Sequence, residues 1–140
     1  MNMKKYEIID HTADIGIKAY GRDVKELFQN AAYGMFDIIA DLEGIKPSIF
    51  IKIKKSSSNF EELLINWLDE LLYNFYTKGI IFSKFDIKKL EPTGIEAEAH
   101  GKHIGDNRSR LKTEIKAVTY HGLKIEEKSG GYEVQIIFDV

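Results

Sequence analysis

NFEELLINWLDELLYNFYTKG, residues 59–79, is the stretch that decides the fold. Phe60, Leu63, Leu64, Trp67, Leu68, Leu71, Leu72 and Phe75 recur at steps of three and four, the repeat that lines side chains along one side of an α-helix. Asn59 is placed to cap the first turn, with Glu62 three residues on as in a capping box. Glu61 and Glu62 also suit the positive end of the helix dipole. Lys78 followed by Gly79 supplies the stop. So wide an apolar stripe predicts a central core helix, the alternative being a face that docks a partner.

Upstream, Asp23 offers a second N-cap with Glu26 three residues later. Val24, Leu27, Phe28, Ala31, Met35, Ile38 and Ile39 then keep helical spacing until about Asp41, ahead of Gly44 and Pro47. Tyr6 and Ile8, then Ile15, Ile17 and Ala19, alternate as short strands on either side of a small-residue turn at residues 11–14. Ile49, Ile51 and Ile53 alternate with Phe50, Lys52 and Lys54, predicting a strand, and residues 56–58 a serine loop.

Downstream of the long helix the pattern is all strand. Residues 81–89 and 95–100 flank a turn at Glu91, Pro92, Thr93 and Gly94. Residues 101–111 are polar and charged and predict a loop. Residues 112–126 predict one long strand through Ile115, Val118 and Tyr120. Ser129, Gly130 and Gly131 then turn the chain into a last strand, residues 132–140. Two helices followed by hairpins indicate an α+β fold, with both helices packed on one face of a mainly antiparallel sheet and residues 1–140 forming one domain.

Composition narrows the function. At 140 residues the chain can bury a sizeable core without staples. A formal net charge of −2 does not suit a protein that coats nucleic acid. The chain has no cysteine, which removes disulfide and thiolate chemistry and favours a reducing compartment. No segment approaches the ~20 apolar residues of a membrane span, and the first residues lack the apolar core of a leader. The expected location is the cytoplasm.

Asp14 sits in the small-residue turn, and Asp139 and Val140 close the last strand. An isolated turn aspartate serves either as an Asx-turn acceptor or as a ligand. Together with Asp139 and the oxygens of Val140, it would offer the hard donors that Ca²⁺ or Mg²⁺ prefers. His11, between Asp10 and Asp14, is a candidate general base or a hydrogen-bonded structural residue. His100 and His103 fall on opposite faces of a strand, so a zinc pair there is weakly supported. No nucleophile elbow, P-loop or dinucleotide fingerprint is present. His100, Lys102, His103, Arg108, Arg110 and Lys112 form the main basic cluster, either a solvated loop or a contact to phosphate or an acidic surface. No aromatic residue interleaves them as in single-strand binders.

Four runs taken together carry a resemblance: HTADIG at 11–16, NWLDELL at 66–72, KAVTYHGL at 116–123 and FDV at 138–140. In this order, over essentially the whole chain, they resemble the archease family. The resemblance implies a non-enzymatic accessory protein of the GTP- and metal-dependent tRNA-splicing ligase. That ligase joins RNA halves ending in a 2′,3′-cyclic phosphate or 3′-phosphate to a 5′-hydroxyl, after guanylylating its own histidine. Archeases promote the guanylylation, sustain multiple turnover and broaden nucleotide use, touching tRNA only indirectly. The resemblance further implies a divalent cation, Ca²⁺, held by Asp14, Asp139 and Val140. The alternatives are a chaperone-like modulator of RNA-modifying enzymes and a small metal-dependent hydrolase using His11 as base.

Overall fold

Both helices start where their caps place them. In the computed structural model, which describes residues 4–10 and 14–140, α1 is Val24–Ile39 and α2 is Phe60–Lys78. The Asp23 carboxylate accepts the Glu26 backbone N–H at 2.8 Å, and the Asn59 side chain accepts that of Glu62 at 2.8 Å. The return half of the first capping box is displaced by one residue. Glu26 accepts the backbone N–H of Arg22, not of Asp23, because the Arg22 guanidinium also binds that carboxylate at 2.9 Å. α2 ends on Gly79, whose φ of +64° is the left-handed cap that favours glycine.

The strands are β1 (Tyr6–Asp10), β2 (Ile15–Gly21), β3 (Ile49–Ser56), β4 (Ile80–Glu91), β5 (Gly94–His103), β6 (Ala117–Val118), β7 (Ile125–Lys128) and β8 (Gly131–Asp139). Every pairing is antiparallel, as the hairpin pattern predicts. The fold is α+β, with its strands divided between two sheets. One runs β1-β2-β8-β6, with β7 also on β8; the other runs β3-β5-β4.

The helices touch both sheets: α1 packs against β2 and β4, and α2 against β3, β4, β5 and β6. This explains burial beyond a single stripe. Trp67, Leu68 and Leu71 are fully buried as the spacing predicts, and so is Ile65, off the predicted stripe. The Trp67 indole N–H donates to the Phe28 carbonyl at 3.1 Å, tying α2 to α1 inside the core. Phe36 meets Phe82 edge-on at 5.4 Å and Phe75 at 6.1 Å. Each such side chain removed from water contributes roughly 1.5–3 kcal/mol.

Three stretches depart from the sequence reading. Ser56 closes β3, paired with Gly94, instead of opening the serine loop. Residues 101–111 are not all loop: β5 runs on to His103 and a 3-10 turn, Gly105–Arg110, follows. The expected long strand over 112–126 is two short ones on the same edge of β8. β6 pairs with Phe138 and Asp139, and β7 with residues 131–134. Between them the chain turns out at Gly122, φ +61°, with the Leu123 N–H bonded to the Tyr120 carbonyl at 3.2 Å.

Candidate functional site

β8 is the strand that organises the site. Ile136, Ile137 and Phe138 are all buried, so this end of the strand is covered on both faces. β2 lies along one side of it, in register from Gly21↔Tyr132 to Ile15↔Phe138. Close approach holds the layer together: a Cβ on Gly16 would lie 2.8 Å from Ile9 Cγ1 and 2.9 Å from Ile137 Cδ1. On the other side, β6 pairs Ala117 with Asp139, and the Lys116 N–H donates to the Asp139 carbonyl at 2.7 Å.

Asp139 is the last residue of β8, and Asp14 immediately precedes Ile15, whose partner is Phe138. Asp14 is half-buried, while Asp139 and Val140 are exposed. Two carboxylates and main-chain oxygens make a hard donor set, which suits Ca²⁺ or Mg²⁺ and not a soft metal. His11, Thr12 and Ala13 lie outside the described residues, and with them the general-base reading of His11.

A second cluster was not anticipated. Asp86 on β4 and Glu98 and His100 on β5 bring ligand atoms within 4.8 Å of one another, the one such group found among the described residues. Asp86 and Glu98 are paired across the strands, and His100 follows two residues after Glu98 on the same face. The signal in the sequence is the i, i+2 spacing of Glu98 and His100 along one strand, and Asp86 comes from the neighbouring one. These three residues can hold a divalent cation, but lysines already balance them. Lys88 Nζ lies 2.7 Å from Asp86 and, by hydrogen bonding, holds that carboxyl below the usual range. Lys52 stands across from Glu98 on β3. His100 Nε2 is 3.6 Å from Glu98 and its ring lies 5.3 Å from Phe50. The arrangement reads first as a charge ladder on the outer face of the smaller sheet.

The basic cluster predicted as one patch is dispersed. His100 belongs to that ladder. Arg110 turns inward to donate to the carbonyls of Asp41 and Glu43, at 3.1 and 2.6 Å, clasping the loop after α1. His103 and Arg108 line a separate cavity. No helix among the described residues is long and apolar enough to cross a membrane.

Comparison with known proteins agrees with this architecture. The pattern of the Archease protein family matches residues 6–140. A protein archease of Methanosarcina mazei is 40% identical over 141 residues, covering 98% of this chain and 97% of its own. One from Sulfurisphaera tokodaii is 36% identical, covering 99% and 100%. The solution structure of Methanobacterium thermoautotrophicum protein 1598 superposes with a TM-score of 0.82 at 34% identity, covering 99% of this chain and 100% of that one. A Thermotoga maritima archease, described as a possible chaperone, has a TM-score of 0.63 at 24% identity and shares the fold.

Proposed function

We propose, because this chain belongs to the Archease protein family, that it is a non-catalytic activator of the GTP- and metal-dependent tRNA-splicing ligase. On this reading it promotes guanylylation of the ligase, sustains its turnover and broadens its nucleotide use. The observation that supports the reading is the β2–β8 register, whose last pair, Ile15↔Phe138, has Asp14 just before it and Asp139 just after it in the sequence. An exposed anionic end on a rigid sheet is suited to a neighbour whose chemistry moves charged phosphoryl groups, where placed charge dominates the rate.

Asp14, Asp139 and Val140 would hold a hard cation such as Ca²⁺, which would supply positive charge at that end. The chain's own part is to present the two carboxylates in fixed positions and to dock the ligase around them. A chaperone-like role would have to use another surface than the α2 stripe, since Trp67, Leu68 and Leu71 are fully buried.

The test is reconstitution with a tRNA-splicing ligase, scoring guanylylated ligase and ligated RNA with and without this protein. Stimulation of both is expected, in excess of what a heat-denatured sample gives. Equal guanylylation in its presence and absence would overturn the activator reading. Phosphodiesterase or phosphatase turnover by the isolated protein would overturn its non-catalytic character.

A further inference from the structure

We propose that the cavity between the end of α2, the end of β5 and the 3-10 turn binds a phosphate monoester carried on a flat aromatic body. Its volume of about 490 Å³ falls in the range of small-molecule sites and is more than a lone inorganic ion needs. Lys78, His103 and Arg108 reach it from three different elements, and no carboxylate lines it. Asp106 belongs to the same 3-10 turn but is not part of the lining.

Lys78 and Arg108 are exposed cations, and His103 is an exposed imidazole beside them. Among the described residues no acid lies within pairing distance of Lys78, His103 or Arg108. Lys78 sits at the negative end of the α2 dipole, which alone would justify a lysine there. The Gly79 N–H bonds to Phe75 O at 3.0 Å and the Ile104 N–H to Gly79 O at 2.7 Å, so neither of those two carbonyls needs the ammonium.

Beside the cations stands a fixed aromatic surface. Tyr76 is 49% exposed, yet its hydroxyl donates to Ile115 O at 2.6 Å and its ring meets Phe75 edge-on at 5.0 Å. An exposed ring immobilised in this way stacks a planar group with little loss of freedom. A guanidinium offers a phosphate two parallel N–H bonds, while an ammonium adds a point charge. Basic groups and a ring in one lining select a ligand that is anionic at one end and flat at the other. None of the lining residues is Asp14, Asp139 or Val140, so this site is separate from the proposed activating end.

The test is titration of the isotopically labelled full chain with inorganic phosphate, adenosine and adenosine monophosphate, followed by backbone amide NMR. The monophosphate should saturate, with shifts at Tyr76, Gly79, Ile104 and Gly105, and bind about tenfold or more tightly than inorganic phosphate. Lys78→Glu with Arg108→Glu should abolish the shifts, while Lys124→Glu, exposed and off the cavity, should leave the affinity unchanged. Tyr76→Ala should keep phosphate binding and lose the advantage of the nucleotide. Repeating the titration with a short oligoribonucleotide ending in a phosphate separates a free nucleotide from a strand end, and preferential binding of either sustains the proposal. Adenosine binding as tightly as its monophosphate, phosphate binding as tightly as the nucleotide, or equal loss in Lys124→Glu would each overturn it.

Discussion

Asp139→Ala separates folding from function at the end of β8. The side chain is exposed, and Asp139 is held through its backbone, paired with Ala117 and accepting the Lys116 N–H at 2.7 Å. Those contacts survive truncation. Asp14 immediately precedes Ile15, the partner of Phe138, so the two acids lie near each other in the fold. Exposed carboxylates about 5 Å apart repel by under about 1 kcal/mol in water. Removing the Asp139 carboxylate should leave stability unchanged or raised by no more than about 1 kcal/mol, a melting shift of under about 4 °C.

Stimulation of the ligase should fall far more, by about 10²-fold, the scale of losing one placed electrostatic group at a phosphoryl-transfer site. Ca²⁺ affinity, read by calorimetry on the isolated protein, should fall with it. The measurements are labelled guanylylated ligase, multiple-turnover ligation and thermal melts, all on the same preparations. Full stimulation by a folded Asp139→Ala protein would refute the reasoning and leave the activity to docking contacts alone.

Four further outcomes are expected. Asp14→Ala should lose stimulation alike, with a modest stability cost because Asp14 is half-buried and lies in a turn. Leu68→Ala removes a fully buried side chain between two sheets and should lower unfolding free energy by about 2–5 kcal/mol in denaturant melts; an unchanged midpoint would contradict its core placement. Gly101→Ala should destabilise by about 1–3 kcal/mol or prevent folding, since its Cβ would lie 2.2 Å from the Ile81 carbonyl oxygen of β4, which cannot swing aside. Burial, with the Glu7 hydrogen bond, pushes the Tyr20 hydroxyl up to about 12 from its ordinary 10.0. Its stabilising effect is therefore full below about pH 10 and fades as pH rises toward 12, and Tyr20→Phe should flatten that alkaline decline in melts.

The helices were legible because local chemistry specifies them completely: Asn59 and Asp23 cap, Gly79 stops, and the apolar spacing between sets the buried side. The division into two sheets was not legible. Which strands pair depends on contacts far apart in sequence, and the one local sign was that apolar residues such as Ile65 overflow a single stripe. Residues 112–126 misled for a related reason. Ile115 and Val118 are both buried, but their spacing of three already breaks strand alternation; Gly122 marks the excursion that splits the strand, and an isolated glycine is compatible with either outcome. At the candidate site, Asp14 and Asp139 stood out as acids beside apolar strand residues. The Asp86–Glu98–His100 group did not, because Asp86 comes from the neighbouring strand and only the β4–β5 register brings it across.

The same register explains why the end of β8 can act as a fixed element. Three consecutive buried residues, Ile136, Ile137 and Phe138, anchor the strand on both faces immediately before the exposed Asp139. Gly16 lets β2 and β1 approach Ile137 so closely that a methyl group in its place would meet both neighbouring isoleucines. β6, with two ladder pairs, is just long enough to hold the other side without covering the tip. An activator that works by placing charge gains only if that charge does not relax away when the partner's own charges shift. A carboxylate on a loop would relax; one at the end of a strand clamped between two others has far less freedom to do so. The core packing of β8 is thus what makes a single exposed aspartate at its end a defined electrostatic feature and not a mobile one.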